Sequence, residues 1–387
     1  MTLRSWLLAA LVPAVSFGAG AALPVAVDLS PLPGAVAAVP AVTSPLAPPE
    51  GLRPCCAFGY NLQAEAFGIP VPFYQLNNVV EATALGEHQY NDSFLGAGAK
   101  LLGVSAERDG ILYTIRGGFV DIAHVRDTAD MTVWLFSHIW PSLGRAQTLT
   151  LDDELAERRI VLPAFTPPAS AADRYTLATW LSAYLAFQVA AWHETAQWYG
   201  FESVPGFSEG VSAYSPEDLY SNLLGARTAA SLILSGHAKS VAIYNVAMTA
   251  ALPGVLSQLG AVTAPETRFH FDMLDGQWWD SHQNVPEKFL VLKRNYYTGD
   301  NRVPTPIPGE PLASLNVQLP HEVLGYALPD LGELQLWPGH SMQALPKPER
   351  GYYTWRDFPH LADHARSEDA VQLAKWHIST VVSGAKK

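Results

Sequence analysis

The sequence predicts an α+β protein with a buried helical core flanked by short strands and long aromatic-rich loops. Three observations carry that expectation. Apolar positions recur at helical spacing from Asp121 to Trp140, a nearly charge-free stretch runs from Leu177 to Gly200, and strand and turn signals gather before and after this middle. Of the 387 residues, 49% are hydrophobic and only 16% charged, with 11 tryptophans. A chain of that composition can bury a core and is neither disordered nor a solvated coiled coil. With 24 basic against 36 acidic residues, the formal charge of −12 argues against a nucleic-acid partner.

Met1 to Ala21 carries one early cation, Arg4, then the apolar stretch Trp6 to Val15, then Ala19-Gly20-Ala21, a small-x-small cleavage pattern. That is the pattern of a secretory signal peptide, and an apolar stretch so short cannot cross a bilayer. The expectation is an exported protein, periplasmic or secreted, with no stable transmembrane segment after cleavage. Residues 22–52 are rich in Pro and Ala and read as a partly extended linker. Residues 53–387 then form a single large α+β domain whose part from about residue 265 is loop-rich.

Within that domain, Val71 to Tyr74 and Ile111 to Ile115 read as strands, the second closed by Gly117-Gly118. From Asp121 to Trp140 the positions Ile122, Val125, Ala129, Val133, Phe136 and Trp140 make one apolar stripe of a helix. The stretch from Leu177 to Gly200 is apolar nearly all round, and Gln188 with His193-Glu194 marks it as a core helix rather than a membrane span. Ser215-Pro216-Glu217-Asp218 reads as a helix start, with Ser at the N-cap and Pro first in the helix, and Gly225 as a later interruption. Residues 229–259 continue as helix until Pro253 stops or kinks it. After Ala264, short apolar runs such as Lys288 to Leu292 read as loops and a few strands.

The two cysteines, Cys55 and Cys56, are adjacent. Neighbouring residues cannot close an ordinary disulfide loop, which leaves a strained vicinal bridge, two buried thiols, or a nucleophile at Cys56 served by His124.

The residues with the most chemistry lie on the central helices. His193 and Gln197 share a face one turn apart with Glu194 beside them, and Asp218, followed by Ser221 and Asn222, opens the next helix. This pattern weakly resembles the gluzincin metallopeptidases, where a His-Glu-x-x-His helix supplies two zinc ligands and a base, and a later carboxylate supplies the third ligand. The resemblance implies zinc as cofactor, with His193 and Asp218 as ligands and Glu194 as the catalytic base. Gln197 stands where the second His belongs, and Asp218 where the family has Glu. His124 could replace the missing imidazole. Asp121 would then accept from its ring or cap the helix, and Gln197 would stand behind the ligands. Arg126, four residues before Asp130, reads as half of a solvated pair and otherwise as a catalytic cation. His88 is a further candidate.

Taken together, Arg53 to Gly59, Phe119 to Asp127, His193 to Gly200 and Pro216 to Gly225 resemble an uncharacterised family of exported bacterial proteins, catalogued as a domain of unknown function, the 4056 family. The resemblance spans roughly residues 53–300 and implies export and a bacterial source, but no activity. The functional expectation is a metal-assisted hydrolase of amide or ester bonds on an unknown substrate. A thiol hydrolase built on Cys56 and His124 is one alternative, and a non-enzymatic envelope or binding protein is the other.

Overall fold

The computed structural model describes residues 25–29, 44–49, 53, 57–66, 69–90, 107–203, 208–309, 313–339, 342 and 345–384. The signal segment Met1 to Ala21 and both cysteines lie outside the described residues.

β1 (Leu62–Ala66) and β2 (Ile69–Leu76) form an antiparallel pair, and β3 (Ile111–Thr114) and β4 (Gly118–Asp121) form a second. The β3–β4 turn passes through Gly118 at φ 62°, a left-handed conformation that glycine adopts without a Cβ clash. The strand signals of the sequence fall on β2 and β3.

β4 runs straight into α1 (Ile122–Ile139), because Asp121 closes the strand and caps the helix, its Oδ1 accepting from Ala123 N at 2.7 Å. α1 packs against α2 (Ala171–Trp198) and α3 (Asp218–Leu234), and these three helices hold the largest core cluster. α2 begins before Leu177, at the cap Ser170, and is buried nearly all round, as its lack of charge requires.

Gly225 does not interrupt α3. It lets α3 approach α1, since a Cβ there would stand 2.1 Å from the Val125 carbonyl oxygen. The start of α3 also differs from expectation: Glu217 occupies the N-cap without a capping bond, and the Ser215 hydroxyl donates to the Glu217 carboxylate at 2.7 Å. Residues 229–259 are not one helix. α3 ends at Leu234, and α4 (Val241–Leu259) starts afresh at Ser240, whose hydroxyl accepts from Ile243 N. Pro253 lies inside α4 on its exposed side, and the helix ends at Gly260 in the left-handed conformation, φ 74°. By length and composition α4 is apolar enough to cross a membrane; Tyr244, Met248, Leu252 and Leu256 bury one of its faces in the core.

β5 (Gln147–Glu154) and β6 (Ala156–Leu162) make a hairpin that the sequence reading lacked. Ala156, Arg158, Ile160 and Leu162 of β6 are buried and the residues between them half-buried, the period-two pattern of a strand with one inward face. The region after Ala264, expected as loops and strands, contains two substantial helices. α5 (Ala264–Leu274) carries a complete capping box between Thr263 and Glu266. Four two-residue strands follow, β7 (Asn301–Arg302) paired with β8 (Val317–Gln318) and β9 (Glu322–Val323) paired with β10 (Tyr326–Ala327), then the short α6 (Leu328–Leu331). β11 (Glu333–Pro338) pairs with β6 to complete a three-stranded antiparallel sheet, and α7 (Phe358–Gly384) lays Phe358, Leu361, Ala362 and Ala365 inward beside α2.

Two described stretches of the Pro/Ala-rich segment, 25–29 and 44–49, carry no regular secondary structure and lie on the helices. Val27 and Leu29 are buried, Asp28 N donates to Ser231 Oγ at 2.9 Å, and Leu46 N donates to Ser137 Oγ at 3.0 Å. The class is α+β, with the helical core in the middle of the chain.

Candidate functional site

Three buried side chains converge where β4 meets α1 and α3 begins. Asp121 Oδ2 lies 3.4 Å and Asp218 Oδ1 3.6 Å from His124 Nδ1, and one ligand atom from each residue lies within 4.8 Å of the others. The placement follows from the sequence. Asp121 is fixed by its capping bond, His124 stands one turn on, and the Gly225 contact brings α3 close enough for Asp218 to reach them. Ser221 and Asn222 lock the two helices together: Ser221 Oγ accepts from Asp121 N at 2.9 Å, and Asn222 Nδ2 donates to Thr128 Oγ1 at 2.9 Å.

Two further carboxyl groups surround this trio. Glu194 of α2 places Oε1 3.4 Å from His124 Nε2, the nitrogen turned away from the two aspartates, and its Oε2 accepts from Tyr214 N at 2.7 Å. Glu217 precedes Asp218 and is equally buried. Four carboxyl groups and one imidazole in so small a dry volume require protons or a cation to balance them. Burial pushes Asp218 well above the usual carboxylate range, and the charges of Glu194, Glu217 and Asp121 push the same way against the opposing pull of His124. Burial likewise raises Glu217 to about 8, partly offset by the Ser215 hydroxyl that donates to it.

The buried Asp121–His124–Asp218 group could hold a metal ion, and its atoms fit one. Ligand bonds of about 2.1 Å in a tetrahedral site put neighbouring ligand atoms about 3.4 Å apart, close to the two distances from His124 Nδ1. Neither oxygen of Asp218 nor Oδ2 of Asp121 makes a hydrogen bond, so these lone pairs are buried without a donor. Two carboxylates and one imidazole suit zinc and also harder divalent ions, so the donor set does not fix the metal.

The other expected residues are placed differently. His193, expected as a ligand, lies on the other side of α2, with Nδ1 3.4 Å from Glu154 Oε1 at the end of β5. Residues 193 and 194 are adjacent on a helix, so they point about 100° apart and cannot both face His124. Gln197, expected behind the ligands, donates through Nε2 to Glu209 at 3.1 Å. Glu194, expected as the base, faces the far nitrogen of the histidine ring. Asp121 both caps α1 and faces the ring.

Arg126 and Asp130, expected as a solvated pair or a catalytic cation, are both fully buried and take separate partners. Arg126 Nη1 pairs with Asp109 at 2.6 Å, whereas Asp130 pairs with Arg53 Nη1 and His88 Nε2, each at 3.0 Å. His88 also places Nδ1 3.1 Å from Glu107. This second polar cluster, around Arg53, ties residues 53, 88 and 107 to α1 and α4 and was not legible in the sequence.

Sequence reasoning also missed Glu217 as a site residue. It reads as an ordinary first-turn acid, and only the packing of α1 on α3 encloses it.

Residues 43–308, well over half of the chain, match the family model described as protein of unknown function (DUF4056). No curated protein and no solved structure matches the chain.

Proposed function

The chain therefore belongs to that family, and we propose that it is an exported, metal-assisted hydrolase of amide or ester bonds whose ion is held by Asp121, His124 and Asp218. The observation that carries the reading is the convergence of two buried carboxylates, without hydrogen-bond donors on the facing oxygens, on one histidine nitrogen. Such an ion supplies a Lewis acid and lowers the pKa of a bound water toward neutrality. The chain's own residues do the rest. Glu194 Oε1, 3.4 Å from His124 Nε2, favours the tautomer protonated at Nε2, which turns the Nδ1 lone pair toward the two aspartates. Glu217, kept near neutrality by burial, is the carboxyl group suited to exchange a proton with substrate. Export is supported by the Met1 to Ala21 pattern, and N-terminal sequencing of protein from an exporting host should begin near Ala22.

The test is elemental analysis of the chain purified without chelator, together with divalent-ion titration of the stripped protein. About one ion per chain, lost in Asp218→Asn and in His124→Ala while both variants stay folded, supports the reading. No ion bound by folded wild type at millimolar zinc, manganese or magnesium overturns it and leaves the carboxyl groups neutralised by protons. Hydrolysis of a panel of amides and esters, dependent on the restored ion, separates an enzyme from a metal-binding envelope protein.

A further inference from the structure

A cavity of about 770 Å³ lies beside this cluster, between α2, the segment 293–306, and the chain around Trp355 and Phe358. Its size is that of a small-molecule site. Ala191 lines it, and Glu194 stands almost one turn further along α2, so cavity and acidic cluster share a wall. The polar atoms of its lining have an unusual balance. Arg302 Nε and Trp355 Nε1 are buried and lack a hydrogen-bond partner, and the Tyr184 hydroxyl, beside the Gln188 amide, finds no acceptor of its own. Each of these three can donate. The carboxylates of the same wall are paired, Asp300 with His321 at 2.8 Å and Asp363 with Arg366 at 2.9 Å.

Arg302 decides the charge. It is 2% exposed, and no carboxylate among the described residues lies within ion-pair distance of it. Only its Nη1 is engaged by the protein, donating to the carbonyls of Tyr297 and Gly299, and its guanidinium lies over the Tyr297 ring at 5.1 Å. Burial lowers its pKa to about 10, so it stays charged at neutral pH. Its nearest counter-charge, Glu194, stands beyond ion-pair distance and balances it only in part, and each buried donor without an acceptor is costly. One ligand type relieves both: an oxyanion, whose oxygens only accept and whose charge answers the guanidinium. The aromatic side chains of Phe187, Tyr297 and Phe358 line the rest of the cavity and suit a ring on the same ligand.

We propose that this cavity binds an anionic small molecule that presents a carboxylate or phosphate to Arg302 and ring surface to the aromatic wall. Asp121, His124 and Asp218 are not among the residues that line it. It is tested by calorimetric titration of the full chain with benzoate and with inorganic phosphate. Saturable one-to-one binding of either probe is expected, at least tenfold weaker in Arg302→Met and several-fold weaker in Tyr184→Phe, which removes one hydroxyl of the lining and keeps the ring. Asp218→Asn should leave it unchanged, which separates this site from the metal reading. Benzoate binding alone assigns a carboxylate ligand, and phosphate binding alone a phosphate ester. Binding of neither probe, or binding equal in wild type, Arg302→Met and Tyr184→Phe, overturns the proposal.

Discussion

Gly225 on α3 touches the Val125 carbonyl of α1, and the candidate metal group exists because of that contact. A methyl group at residue 225 would meet the oxygen at 2.1 Å, well inside van der Waals distance, and backbone cannot yield as a side chain tip can. The same packing brings Asp218 to within 3.6 Å of His124.

Gly225→Ala should therefore act on site and stability together. Overpacking of this kind costs about 1–3 kcal/mol, commonly more where backbone must move. The helices part, Asp218 retreats from His124, and divalent-ion affinity should fall at least tenfold. Thermal melts and zinc titration of the variant check this. Unchanged ion affinity in a destabilised variant would show that Asp218 does not depend on the helix contact.

Glu194→Gln tests the orientation of the His124 ring. An amide can still accept from Tyr214 N, but its NH2 then faces the Nε2–H of the imidazole, donor against donor. Loss of a carboxylate behind a metal-bound histidine typically weakens the metal about 10–100-fold. Titration should show that intermediate loss, between wild type and the near-complete loss expected of Asp218→Asn. A variant that binds as wild type does would remove Glu194 from the site.

The helical centre was legible because α1 and α2 carry their burial in local periodicity and in an absence of charge. α7 was not, because its inward face shows only beside α2, and the β5–β6 hairpin has an Arg at a buried strand position, Arg158, which breaks the apolar alternation a reader looks for. Asp121, His124 and Asp218 could each be singled out by residue type and position. Which imidazole joins them could not: whether His124 or His193 faces Asp218 depends on the rotation of α2, set by tertiary packing. The same limit hid Glu217 and the partners of Arg126.

The cluster around Arg53 makes an acid-side prediction. Burial opposes the charges there, but Arg53 outweighs it and holds Asp130 below the usual carboxylate range, while the His88 hydrogen bond and Arg53 do the same for Glu107. Carboxylates with depressed folded pKa values contribute stability that is present above their ordinary range and lost as pH falls below about 4.5. Arg53→Met leaves buried carboxylates without their cation and should cost about 3–5 kcal/mol near neutrality. Its deficit against wild type should shrink as pH falls below about 4.5, because protonation then discharges the stranded groups. Denaturant melts of both proteins at pH 7 and pH 4 measure the difference. A deficit that stays constant between them contradicts the assignment.

His193 gives the opposite sign and separates two readings of α2. Burial opposes its charge, but the Glu154 carboxylate at 3.4 Å, with Glu194 and Glu209 behind, raises its pKa above the ordinary histidine value. A histidine with a raised folded pKa contributes stability that is fully present below its unfolded value, about 6.5, and is lost as pH rises through the folded value. His193→Gln should therefore destabilise the protein most at pH 6 and least at pH 9, where the wild-type ring has already lost its proton. If the ring were a metal ligand, its neutral form would be the useful one, and the variant would lose its ion at every pH. Ion content equal to wild type, together with a stability deficit that fades from pH 6 to pH 9, places His193 in the pairing with Glu154. Loss of the ion in a folded His193→Gln would return it to the metal group and displace the geometry proposed for Asp121, His124 and Asp218.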